Sequence, residues 1–188
     1  MGRVGFRTSL FFGVFLCCTS ASADEIRLKD GTVLEGQVLA AGPTRILFEG
    51  EETVFVERGT IKSLQDDNGR PRTLDAADSD PAGFVTKVFG SVRAQRGSQE
   101  IEVTLYGDQA ILLEGDTLLT GPYGRVSFTT PDGGLAAARS DAVVRFEQGV
   151  PRLVDGTLRL ENGAGNSKAL LPEGLLRVIK GKVEVVHL

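Results

Sequence analysis

Asp116 and Asp132 each stand beside a glycine within Leu112–Gly134, LLEGDTLLTGPYGRVSFTTPDGG. Two carboxylates could act as general acid and base, or as the pair a glycosidase needs. Gly-Asp and Asp-Gly are also ordinary turn dipeptides, in which the aspartate bonds neighbouring amides. On the turn reading, Gly115, Gly121, Gly124 and Gly133 occupy positions that need a positive φ or a close backbone approach. The turn reading is preferred, and no catalytic residue is assigned.

The other reactive groups are sparse. His187 is the single histidine, too little for a Ser-His-Asp triad or an HExxH zinc site. It reads as a strand-end residue. Gly163–Lys168 (GAGNSK) is glycine-rich but lacks the G-x-x-x-x-G-K-[ST] spacing of a phosphate loop, and reads as a hairpin loop. Asp75, Asp78 and Asp80 lack both the spacing and the distant Glu of an EF-hand. No cofactor and no metal is expected. Tyr106 and Tyr123 are the two tyrosines. Tyr123, inside the Pro-Tyr-Gly turn, either marks a contact surface or packs locally over its turn.

The elements that must position these residues begin after a targeting pattern. Arg3 and Arg7, the apolar run Leu10–Cys18 and the small-residue end Ala21-Ser22-Ala23 have the three parts of a secretory signal peptide. An uncleaved anchor is the alternative, but the apolar run is about half the roughly 20 residues a spanning helix needs. A lipoprotein is disfavoured, because Leu16 rather than a small residue precedes Cys17. Removal of residues 1–23 takes both cysteines, so the remainder has no disulfide and no thiolate site and must be held by its core. It also takes two positive charges from a chain whose formal charge is already −4. That balance argues against binding nucleic acid or anionic lipid, which needs basic patches. A periplasmic or secreted product follows, with no membrane span after signal removal.

The remainder reads as all-β. Turn signals recur between short alternating runs, and the nearest thing to a helix is the short polar Asp75–Ser79. Residues 24–65 form a first unit of five strands, with Ile46 and Phe48 on one face and Gly36 placed for a bulge or bend. So many strands in so little chain suggest a small barrel. Residues 66–82 (DDNGRPRTLDAADSDPA) read as a polar, solvated linker. Residues 83–188 form a second unit. Val85, Val88, Val92, Val126 and Phe128 are its expected core, and a hairpin of Leu175–Ile179 with Lys182–Val186 is expected to close it.

Asp24–Val38 (DEIRLKDGTVLEGQV) resembles the opening of small SH3-like or Sm-like barrels found in exported bacterial proteins, modules that imply assembly or binding. Gly90-Ser91-Val92, then Gly115–Phe128 (GDTLLTGPYGRVSF), then Pro131-Asp132-Gly133, resemble the FecR-like domain. Ser140 and Val143–Phe146 continue the pattern. The resemblance implies a β-sandwich or a short β-solenoid. The best-known members of that family signal across the inner membrane to a sigma factor, through a cytoplasmic segment and a spanning helix. Here a signal-peptide pattern stands instead. What the resemblance implies is a noncatalytic periplasmic module for binding or signal transduction, contacting an envelope protein or polysaccharide. A structural or assembly component of an envelope or polysaccharide export system is the alternative reading. A secreted hydrolase using carboxylates alone is the third.

Overall fold

In a computed structural model the described residues are 23–161, 167–178 and 181–187. Arg3, Arg7, the Leu10–Cys18 run and both cysteines fall outside them, as do residues 163–166, Ile179 and Lys180. The protein is all-β: no α-helix occurs among the described residues, and two single 3-10 turns lie at Arg58–Thr60 and Gly107–Ala110. Asp75–Ser79 is irregular rather than helical. Among the described residues no helix is long and apolar enough to cross a membrane.

The first unit holds β1 (Asp24–Leu28), β2 (Val33–Ala41), β3 (Arg45–Glu49), β4 (Thr53–Glu57) and β5 (Ile61–Gln65). They form an antiparallel sheet in the order β4-β3-β2-β1-β5. The β1–β2 hairpin turns at Asp30-Gly31. Gly31 takes a φ of +96°, and the Asp30 carboxylate accepts from the Thr32 amide at 2.9 Å. β2 serves two partners, with its first half on β1 and its second half on β3. The changeover falls at Gly36, where a Cβ would stand 2.0 Å from the Glu49 carbonyl oxygen. The close approach excludes any side chain there. Ile26, Ile46, Phe48, Val56 and Leu64 fill the core of this unit.

The second unit is one continuous curled sheet, a half-barrel. Its strands are β6 (Pro81–Phe89), β7 (Val92–Arg96), β8 (Gln99–Glu102), β9 (Ile111–Leu113), β10 (Thr117–Thr120), β11 (Arg125–Thr129), β12 (Leu135–Ala138), β13 (Val143–Glu147), β14 (Val150–Glu161), β15 (Ser167–Leu171), β16 (Gly174–Val178) and β17 (Lys182–His187). One half runs β8-β7-β10-β13 and the other β9-β6-β11-β12; β14 belongs to both. Residues 150–155 of β14 pair with β13, and residues 156–161 lie between β12 and β17. The two halves meet in the core. Phe128 from one and Phe146 from the other stack edge to face, with ring centroids 5.2 Å apart at 66°, a geometry worth about 1 kcal/mol beyond burial.

Four of the corners where the chain crosses between the halves are neighbours: β6 to β7, β10 to β11, β12 to β13, and within β14. Adjacent corners touch through backbone. The Gly121 amide donates to the Ser91 carbonyl at 3.0 Å, and the Asp141 amide donates to the Gly121 carbonyl at 3.2 Å. A Cβ on Gly90 would stand 2.6 Å from the Tyr123 carbonyl oxygen. One on Gly124 would stand 2.3 Å from that of Ser91, and one on Gly156 2.7 Å from the Ala142 Cα. The spaced glycines are therefore where one corner lies against the next.

Two expectations change. β17 does not form a hairpin with β16. It lies antiparallel to β14, while β16 pairs with β15 through the Pro172-Glu173 turn. Alternation marks both runs as strands, but the longer free side of β14 takes β17. Residues 66–80 are also not a free linker. Arg72 pairs with the buried Asp24, Leu74 packs on the first core, and the Ala77 amide donates to the Ala41 carbonyl at 2.7 Å.

The two units share a face. Leu47 points away from the first core and is nonetheless 0% exposed, because β3 lies against β6. Asp80 fastens the junction. Its carboxylate accepts from the amides of Thr44 at 2.8 Å and Arg45 at 3.0 Å, and from the Thr44 hydroxyl at 2.6 Å. Its carbonyl accepts from the Glu114 amide at 2.8 Å. Burial works against the charged form of Asp80. The Thr44 hydroxyl, the two amides and the Arg45 charge outweigh it and hold the carboxyl below its ordinary 3.8.

Candidate functional site

Asp116 immediately precedes β10, just after Glu114-Gly115, and is 1% exposed. Arg96 grips its carboxylate with two nitrogens, Nε at 3.0 Å and Nη2 at 2.8 Å. The Leu113 amide donates to it at 2.9 Å. A carboxylate so enclosed has no face left for substrate. The same Arg96 donates from Nη2 to the Ile111 carbonyl at 2.9 Å, so one bidentate pair ties β7 to the β9–β10 corner.

Asp132 lies elsewhere, in the β11–β12 turn. Its carboxylate accepts from the Thr130 hydroxyl at 2.6 Å and stands 3.4 Å from Lys168 Nζ. It bonds a hydroxyl rather than the neighbouring amide expected of it. Asp116 and Asp132 share no partner. The glycines divide likewise. Gly115 and Gly133 have positive φ, at +88° and +75°. Gly124 is fixed by close approach. Gly121 is neither, since its φ is not positive and a Cβ would meet Ser91 at no less than 3.5 Å. What Gly121 supplies is backbone bonding to both neighbouring corners. His187 ends β17 opposite Gly156. Of the glycine-rich run, Ser167 opens β15, and its hydroxyl accepts from the Leu135 amide at 3.1 Å.

Tyr123 is 82% exposed and does not pack over its turn. Its carbonyl packs on Gly90, next to Phe89, itself 68% exposed. Two bare aromatic rings therefore share one corner end of the sheet.

These rings adjoin a feature that no short motif announces. On the outer face of β6, β11, β12, β14 and β17, one cross-strand row reads Lys87, Ser127, Ala137, Arg159, Glu184. The next row toward the corners begins Phe89, Arg125, and the β11–β12 register continues it through Arg139. The small Ser127 and Ala137 leave a trough of about 550 Å³ with cations on its walls. Arg139 pairs with Glu184 at 2.7 Å. Among the described residues no carboxylate lies within ion-pairing distance of Lys87, Arg125 or Arg159. The sequence signal was the outward slot of each alternating strand, as with Arg159 between the buried Leu158 and Leu160. Only strand register assembles four such slots.

A second hollow of about 620 Å³ lies between the units, lined by Phe55 of β4 and by Thr130, Pro131, Asp132 and Leu135. Among the described residues no three metal-ligating side chains gather.

No family model, curated protein or solved structure matches this chain.

Proposed function

We propose that this protein is a noncatalytic, exported module of the cell envelope that works by binding, for recognition or for signalling. The observation that carries the reading is the exposed pair Phe89 and Tyr123 at the corner end of the second unit. Large bare rings at one end of a folded surface favour a contact role. The burial of Asp116 in its ion pair supports the noncatalytic side, because it gives the most suggestive carboxylate a structural task. The signal-peptide pattern and the FecR-like order of turns supply the envelope setting, and envelope protein and polysaccharide are the partner classes they imply.

A photo-crosslinking residue at position 123, compared with one at the exposed Asp67, tests the contact. Discrete adducts in an envelope fraction are expected from position 123 alone. Equal labelling from both positions, or none from either, would sink the reading. Fractionation tests the export, and a product retained in the cytoplasm would overturn that part.

The assembly reading draws on one observation. β16 pairs only with β15 among the described residues, and Leu175 on this edge strand is 58% exposed. An open apolar edge can add a further strand. Light scattering distinguishes the two, since a concentration-independent monomer removes support for self-assembly.

A further inference from the structure

We propose that the trough on the outer face of β6, β11, β12 and β14 binds an acidic glycan, with Lys87, Arg125 and Arg159 holding its carboxylates and Phe89 stacking against a sugar ring. This rests on the binding-module reading above and gives it a ligand chemistry.

The chain is acidic overall, yet the two carboxylates on this face of β14 and β17 are both engaged, Glu184 by Arg139 and Glu161 by Lys182, and neither pairs with Lys87, Arg125 or Arg159. Three cations remain for an incoming anion. Holding like charges together on one face costs stability in the absence of a counter-charge, so the arrangement is complementary to an anionic partner.

Shape selects the kind of partner. A hollow of about 550 Å³ falls within the range of about 300–1,000 Å³ typical of small-ligand sites. It is a slot rather than the broad patch a folded protein covers. The floor is formed by Ser127 and Ala137 on β11 and β12. Both strands are internal, β11 between β6 and β12, and β12 between β11 and β14. Their backbone groups are already paired, so an extended acidic peptide gains none of the main-chain bonds that strand addition supplies. A glycan needs none. It is read by side chains, through charge on its carboxylates and through stacking of its apolar ring faces on an aromatic.

Spacing fits as well. Successive outward residues on one strand are about 6.8 Å apart, and neighbouring strands about 4.8 Å. Lys87 and Arg159, three strands apart in one row, therefore stand on opposite walls of a slot wide enough for a single sugar chain. Arg125 and Phe89 sit one row further toward the corner end, where Tyr123 is also exposed.

The test is titration calorimetry on the full-length purified protein with three probes: an oligogalacturonate, the same oligomer fully methyl-esterified, and poly-L-glutamate. The proposal expects the oligogalacturonate to bind, to weaken with salt and to outcompete poly-L-glutamate. It expects the neutral ester to show no comparable heat. Arg125→Glu with Arg159→Glu should weaken binding by about tenfold or more, while Lys62→Glu in the first unit should leave it unchanged. Phe89→Ala should weaken the glycan alone. Amide chemical-shift mapping on the wild-type protein, expected at Ser127 and Ala137, keeps the test decisive if the double variant misfolds. Absence of oligogalacturonate binding, or shifts confined to other faces, would overturn the proposal. So would equal binding of poly-L-glutamate with no effect of Phe89→Ala, since that describes a docking patch for acidic polypeptide. Failure on glycans with positive crosslinking at position 123 would reject this ligand and leave the binding-module reading standing.

Discussion

Arg96 and Asp116 illustrate how a residue with chemical potential is spent on architecture. The pair is held by two nitrogens on one carboxylate, and the carboxylate is buried. Removing one partner strands the other. Asp116→Ala should therefore destabilise by about 3 kcal/mol, read as a shift in the urea midpoint. Adding Arg96→Met should recover part of that loss, because the orphaned guanidinium is what makes the single variant costly. A single variant with wild-type stability would refute the structural assignment. The glycines of the same stretch supply a second contrast. Gly124→Ala drives a Cβ into the Ser91 carbonyl oxygen, whereas Gly121→Ala meets only ordinary contacts. The first should cost about 2 kcal/mol or more and the second under about 1 kcal/mol, measured by thermal melts on both. Equal losses would show that the corner backbones can yield.

Among the elements, the stretch between the units shows what composition hides. Its polarity announces exposure, and most of its residues are exposed, yet it is pinned by Arg72, Leu74 and Asp80. Asp80 gives this pinning a pH signature. Its folded-state carboxyl lies below its ordinary value of 3.8, so its contribution is complete above that value and is lost as pH falls through the lower folded value. The stability gap between wild type and Asp80→Asn should be widest near neutrality and close in acid; a gap constant down to strong acid would exclude the mechanism. Strands themselves were legible. Val126 and Phe128, like Ile46 and Phe48, alternate with outward residues and fill the two cores. Strand partners were not legible. Alternation fixes which face a side chain takes but not the neighbour across the ladder, so the sequence points to β16 as the partner of β17 when β14 holds it. The trough is illegible in the sequence for the same reason. Its four cations come from four strands, and each alone resembles any solvated residue.

On the scale of the whole molecule, burial of Leu47 makes the two sheets interdependent. Period-two reasoning puts Leu47 outside the first core, and it is outside, but the outside is the second unit. Leu47→Asp would bury an unpaired carboxylate at this seam. Calorimetry should then resolve two melting transitions where the wild type gives one, and a single wild-type-like transition would show the seam to be energetically idle. The long β14 carries a different consequence. It closes both halves of the curled sheet, yet it comes after most of the strands it joins. A chain emerging from the ribosome, or threading through a pore, leaves Phe128 and Phe146 without their enclosure until residues 150–161 follow. The second unit is thus timed by one late strand. Its β14 amides should exchange with deuterium only through global opening, and among the slowest in the protein.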